Sequence, residues 1–342
     1  MKKQKKIRFF IILAVICMIS FFSFKKNQSR ILNKNIFRGD LSTYTVNEID
    51  IMSRKFTPVN QIIKENVTIS EMKLLQGKCV QGIVCIENDL LVSDCENDTL
   101  YLIDYKGMLK KKIGRTGNAP GEFLYPTGIT QNENNIFVLD AKNWRVQIFD
   151  REMNYENEIP IILPDETSKN GWYFTSIAVD GDGNIYIGSL DERFGHIICI
   201  KKENGMTVYL GDNFCGTVTG MGGNVCVLNI GLMTKNKNGE IGCRTAKNYL
   251  YNIDTLGLKL ICELPYGITP TGFVLVDDGI YCVSGSYHSI DFYNFEGQYK
   301  YSIINMKEID RISCITSNKK GNLYLSLPFS KKVYSLSGVT YG

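Results

Sequence analysis

Two histidines, His196 and His288, are the only imidazoles among 342 residues. Imidazole is the side chain best suited to general-base work near neutral pH. Either could activate a hydroxyl nucleophile. A Ser–His–acid set also needs its serine presented on a sharp turn, and no G-x-S-x-G elbow occurs. A calcium site takes carboxylate and carbonyl oxygens. Asp94, Asp140, Asn229 and Asn248 carry such groups, but nothing in their spacing separates them from turn residues. Gly181-Asp182-Gly183-Asn184 contains the Asp-Gly pair of a hairpin turn and lacks a twelve-residue calcium pattern. No phosphate loop, HExxH or strand-following GxGxxG is present, and no CxxC pair points to structural zinc. On these residues no catalytic group, metal ligand or cofactor is assigned.

Binding chemistry has more to draw on. Trp172-Tyr173-Phe174 is an aromatic cluster, and Tyr287-His288 is an aromatic–imidazole pair in a tight loop. Tyr125, Trp144, Arg115, Arg193, His196 and Arg244 fall in comparable loop positions. Aromatic faces with scattered guanidinium groups suit a sugar, a peptide or a protein surface. These residues apart from Phe174, ten in all, are the candidate ligand- or partner-binding set. An alternative stays open for Trp172 and Tyr173, which could simply pack between structural repeats. The polar insertion Gly231–Lys247 could likewise meet a partner or extend as plain loop.

The elements that must position these side chains repeat six times. Each copy opens on three apolar residues, the middle one aromatic in four of the six. The copies are Leu90–Asp94, Ile136–Asp140, Ile185–Gly188, Val225–Leu228, Ile280–Val283 and Leu323–Ser326. Their steps are 46, 49, 40, 55 and 43 residues, a period expected of propeller blades. A shorter strand precedes each copy and further strands follow. Four antiparallel strands make a blade, and blades must stack to bury both faces. The last copy ends after its third strand. Val67–Leu75 is strand-like and is expected to supply the missing outer strand, which would remove two open sheet edges. The expectation is an all-β, six-bladed β-propeller of four-stranded antiparallel blades, its ring closed by an N-terminal strand. Loops joining strands two and three, and strand four to the next blade, then share one face, where the candidate residues gather.

The first 30 residues read as an address. Eight basic and no acidic residues flank the 16-residue uncharged run Phe9–Phe24, short for a full membrane span. Three readings follow: a cleaved signal peptide, a lipoprotein signal modified at Cys17, or a retained anchor with its basic end in the cytoplasm. All place residues 67–342 in the cell envelope, outside the cytoplasm, with 31–66 as a linking extension. Without the first 30 residues the net charge turns from +4 to −4. A basic body is what phosphate neutralisation would require, so nucleic acid is excluded as a partner, and membrane contact is confined to the N-terminal segment. Ten cysteines lie in the body. Six sit in apolar strands and suit burial as free thiols. Cys215 and Cys226, facing across the Gly220–Gly223 turn, are the expected disulfide candidates.

Residues 114–150 carry a denser pattern. It comprises Gly114, Gly117, Pro120-Gly121-Glu122-Phe123, Pro126, Gly128, Asn135-Ile136-Phe137-Val138, Asp140, Asn143 and Arg145–Asp150. This stretch resembles one good NHL repeat. The whole of roughly 45–342 is similar to extracytoplasmic six-bladed propellers of the NHL-like or TolB-like kind. The resemblance implies the same fold and leaves activity open. Its structural reading has Asp140 and Asn143 bonding loop backbone, and Arg145 pairing with Asp140 or a neighbouring blade. The functional expectation is a binding or scaffold module taking a protein, peptide or glycan on its loop face. The alternative is a metal-dependent, lactonase-like hydrolase with calcium in the central channel.

Overall fold

The computed structural model describes residues 64, 66–163, 172–190, 195–210, 214–221, 224–235, 241–243, 248–254, 257–264, 270–284, 288–305, 309 and 314–339. The strand β1 is Thr68–Glu71. Blade 1 comprises β2 (Val80–Ile86), β3 (Asp89–Asp94), β4 (Thr99–Asp104) and β5 (Leu109–Ile113). Blade 2 comprises β6 (Pro126–Gln131), β7 (Ile136–Asp140), β8 (Arg145–Phe149) and β9 (Tyr155–Pro160). Blade 3 holds β10 (Tyr173–Val179), β11 (Ile185–Leu190), β12 (Gly195–Ile200) and β13 (Thr207–Leu210). Blade 4 holds β14 (Phe214–Met221), β15 (Asn224–Lys235), β17 (Asn248–Asp254) and β18 (Gly257–Leu264), with the short β16 (Ile241–Cys243) within its insertion. Blade 5 is β19 (Pro270–Val276), β20 (Gly279–Ser284), β21 (Ser289–Asn294) and β22 (Tyr299–Asn305). Blade 6 is β23 (Cys314–Ser317), β24 (Leu323–Leu327), β25 (Lys332–Ser337) and, as its outer strand, β1.

Within each blade, sequential strands pair antiparallel. The inner strands touch in the order β2, β6, β10, β14, β19, β23 and back to β2, which closes a six-membered ring. Six apolar clusters fill the six interfaces between neighbouring blades. Burial explains the strand types. The second strands β7 and β24 are buried at every position, because a blade neighbour covers each face, so they read as mainly apolar runs whose buried polar residues, Asp140 and Ser326, are hydrogen-bonded. The outer strand β5 is exposed at every position but Ile113 and reads Leu-Lys-Lys-Lys-Ile.

The seam forms as expected and is shorter than expected. β1 pairs with β25 from Thr68↔Ser337 to Glu71↔Tyr334. The remainder of the predicted strand turns instead into a 3-10 turn, Lys73–Leu75, which drops Leu75 into the interface between blades 6 and 1. Lys64 ties the preceding chain to blade 5 and the C-terminal segment: its N–H donates to Ser302 O (2.8 Å) and its Nζ to Val339 O (2.7 Å).

Close packing of inner strands demands glycine at two positions. A Cβ on Gly82 would lie 2.0 Å from the Thr127 carbonyl oxygen of blade 2, and one on Gly128 would lie 2.9 Å from Ile177 Cγ2 of blade 3. Five of the inner strands also shift register near their start, at Val80/Gly82, Pro126/Ile129, Phe174/Ser176, Phe214/Gly216 and Pro270/Gly272. Such bulges bend a strand and re-aim its side chains.

The bulge at Phe214/Gly216 corrects the expected disulfide. Cys226 lies opposite Thr219, while Cys215 falls within the register shift, so the two do not face each other. Cys226 is a free, buried thiol, as are Cys85, Cys199, Cys262 and Cys282.

Candidate functional site

The loop between the second and third strands has the same length in five blades. The flanking register pairs are Asp94↔Thr99, Asp140↔Arg145, Leu190↔Gly195, Ser284↔Ser289 and Leu327↔Lys332. In the four where the residue before the third strand is described, it takes a left-handed backbone: Asp98 (φ 51°), Trp144 (56°), His288 (55°) and Lys331 (53°). For a residue with a Cβ this conformation costs about 1–2 kcal/mol. Surrounding bonds must therefore hold it, and each of the four is held differently.

In blade 2 the holding network is polar and buried. Asp140 accepts from the Leu124 N–H (2.7 Å), Asn143 Nδ2 (2.8 Å), Gln147 Nε2 (3.1 Å) and Arg145 Nε (2.8 Å). Arg145 spends its remaining donors on Asn118 O, Ala119 O, Glu122 O and the Glu158 carboxylate. Asn143 also donates to Gly117 O (2.8 Å). Burial raises the Asp140 carboxyl above its ordinary value, and the donors, Arg145 among them, pull the other way. Asp140, Asn143 and Arg145 therefore clamp the loop 114–125 onto blade 2. The expected Arg145–Asp140 pair and the loop-bonding role of Asp140 and Asn143 are both present. Arg115, by contrast, is largely exposed and pairs with Glu122 (2.8 Å), which it holds below the usual carboxylate range.

Blade 1 repeats the geometry with fewer partners. Asp94 is fully buried, and Asn97 Nδ2 donates to its Oδ2 (2.7 Å). Thr99 and Tyr101 stand where blade 2 has Arg145 and Gln147. Asp94 Oδ1 has no hydrogen-bond partner. Asp98 accepts from the Tyr125 N–H (2.7 Å) and the Thr116 hydroxyl (2.8 Å), tying blade 1 to the strand leading into blade 2. Tyr125 receives Gln81 Nε2 on its hydroxyl (3.0 Å), and Lys142 Nζ lies 4.3 Å from its ring centre. Burial pushes the Tyr125 phenol well above its ordinary range. Lys331 of blade 6 pairs with Glu96 of blade 1 (2.7 Å), which raises the lysine further.

The aromatic candidates meet at the junction of blades 2 and 3. Trp144 meets Phe174 edge-on at 4.9 Å, and Trp172 lies 6.4 Å from the same ring. Both tryptophans are half-buried against the apolar cluster between the blades. Tyr173 opens β10 opposite Leu190 and is half-buried. His288 is exposed, and its Nδ1 lies 2.8 Å from Ile309 O. His196 lies in β12 opposite Ser189. Arg193, Arg244, Tyr287 and Cys17 lie outside the described residues, as does the N-terminal address. Among the described residues no group of three or more His, Cys, Asp or Glu could hold a metal ion. Asp140, expected as a conceivable calcium ligand, has its carboxylate taken up by four protein donors.

Sequence reasoning passed over Asp98, Lys331, Lys142 and Gln81. The signal for the first two was the equal loop length, which only the strand register makes visible.

A family model for domains of unknown function, described as a 6-bladed beta-propeller, matches residues 72–210. No curated protein matches the chain. Among solved structures, a luciferin-regenerating enzyme aligns with TM-score 0.56 at 11% identity, covering 80% of this chain and 96% of that one. Virginiamycin B lyase from Staphylococcus aureus aligns with TM-score 0.52 at 14% identity, covering 79% and 99%. A Bacteroides fragilis protein described as exported aligns with TM-score 0.52 at 13% identity, covering 83% and 98%. At these identities the likeness is one of fold.

Proposed function

We propose that this protein is an extracytoplasmic binding module that takes a peptide, a protein segment or a glycan on its loop face. One observation carries the reading: four blades present chemically different side chains, Asp98, Trp144, His288 and Lys331, at one equivalent left-handed loop position. A strained position that recurs and is braced by neighbouring blades is a pre-organised one, and pre-organisation is what a binding surface needs. The half-buried Trp172 and the exposed His288 add ring faces and a hydrogen-bonding imidazole to that side. The basic, apolar N-terminal segment and the exported Bacteroides fragilis structural neighbour support the location.

Panning the full chain on a glycan array and a random peptide library tests the proposal. His288→Ala and Trp172→Ala should each weaken a captured ligand at least tenfold with the fold retained. Lys319→Ala, in an exposed turn at the other end of the strands, should bind as the parent does. Equal binding by all three variants rejects the loop face.

One observation favours a second reading, the calcium-dependent hydrolase. Asp94 Oδ1 is a buried carboxylate oxygen with no protein donor, at the loop end of β3. Calorimetric titration with Ca²⁺ decides it: saturable binding in the parent, lost in Asp94→Asn, supports this reading, and no binding heat removes it.

A further inference from the structure

Most of the described cysteines sit within strands among apolar side chains, as small hydrophobes do. Cys79 and Cys95 differ. They continue the β2–β3 ladder one step beyond its last pair, Val80↔Asp94. The Cys95 N–H donates to Cys79 O (3.0 Å), and the Cys95 thiol donates to Cys79 Sγ (3.1 Å). Both residues are buried at the loop face, beside the Tyr125 hydroxyl. Two cysteines directly opposed on paired strands, with sulfurs in contact, already hold the backbone placement that a disulfide demands.

We propose that Cys79 and Cys95 close a disulfide that cross-links the first two strands of blade 1. The reaction is exchange with a small-molecule or protein disulfide. A thiolate of the pair attacks one sulfur of that disulfide, forming a mixed disulfide and expelling one thiolate. The second cysteine, deprotonated, then attacks the first cysteine's sulfur and expels the other. The pair loses two electrons and two protons, and the exchanging disulfide gains them as two thiols. The hydrogen bond to Cys79, and then burial, push the Cys95 thiol well above its usual range. Both sulfurs are buried in the folded chain, so exchange belongs to folding, before the interface closes.

The cross-link has a structural reach beyond its own strands. The loop that follows Cys95 carries Glu96, paired with Lys331 of blade 6, and Asp98, which holds Tyr125 and Thr116 at the blade 2 side. Fixing that loop fixes the ring on both sides of blade 1.

The test is to refold the full chain in a buffer of reduced and oxidised glutathione, denature it with N-ethylmaleimide present, and map the peptides by mass spectrometry. The expected product links the Cys79 and Cys95 peptides, carries no maleimide at either, and gains 2 Da on reduction. Dithiothreitol should lower the melting temperature by several degrees in the parent and leave it unchanged in the Cys79→Ala/Cys95→Ala double variant. Maleimide on both residues, a bond from either to another cysteine, or an equal response of both proteins to reductant would overturn the proposal.

Discussion

Arg145 Nε lies 2.8 Å from Asp140 Oδ2, with Asp140 fully buried and Arg145 nearly so. The loop 114–125 reaches this pair through Asn118, Ala119, Glu122 and Leu124, and the β7–β8 turn reaches it through Asn143. Removing one partner leaves the other charge buried without compensation, which costs about 3–5 kcal/mol. Arg145→Met should lose that much in equilibrium denaturation. Arg145→Lys should recover little of it, because one ammonium cannot reach five carbonyl and carboxylate acceptors in a fork. A loss under about 1 kcal/mol would show that the clamp is not structural.

Gly82 is required by contact between blades and not by turn geometry. A Cβ there meets the Thr127 carbonyl oxygen of the next inner strand. Gly82→Ala should therefore cost about 1–3 kcal/mol through overpacking. Chemical denaturation of the variant checks this, and unchanged stability would mean the inner strands are spaced more widely than described.

Asp291 gives a pH prediction. It is buried in β21 and accepts from the Ser302 hydroxyl (2.6 Å). Burial raises its pKa above the ordinary carboxylate value near 4. A raised carboxyl binds its proton more tightly in the folded chain than in the unfolded one. Its effect on stability is absent below the unfolded value and becomes a penalty as pH rises through the folded one. Asp291→Asn should remove that penalty, so the variant gains melting temperature over the parent at pH 7 and the gain shrinks toward pH 4. A gain independent of pH would contradict the assignment.

The seam strand should be needed for a monomeric ring. A chain beginning at Lys73 lacks β1 and leaves the β25 edge unpaired. Exposed edges recruit other chains. Size-exclusion chromatography with light scattering should show association or aggregation of this shorter chain, while the parent shows less. Identical elution with equal melting temperature would make the seam dispensable.

Much of the architecture could be read from residue order. Ile136–Asp140 and its five counterparts each open on an apolar run because blades cover both faces of a second strand, so their spacing counts the blades directly. The Asp140, Asn143 and Arg145 roles were legible for a related reason: their partners lie in the same repeat, within 27 positions along the chain. The seam was legible as a missing strand at one end and a spare strand at the other. Its early stop at Glu71 was not, because the turn at Lys73–Leu75 is set by where Leu75 finds its cavity between two blades.

The candidate site was legible in composition and not in arrangement. Trp172 and Trp144 were visible as aromatic loop residues, but their meeting on Phe174 depends on how blades 2 and 3 stack. The equivalence of Asp98, Trp144, His288 and Lys331 has no residue type in common. It arises from equal loop lengths between paired strands, and pairing is a property of register. The same holds for sulfur: placement across the Gly220–Gly223 turn suggested Cys215 with Cys226, while a bulge displaced one of them and the ladder of blade 1 brought Cys79 to Cys95. Periodic burial is local and repeats, so it is written into the chain order. Register shifts and contacts between blades are settled when six interfaces close together, and there the folded ring alone sets which side chains meet.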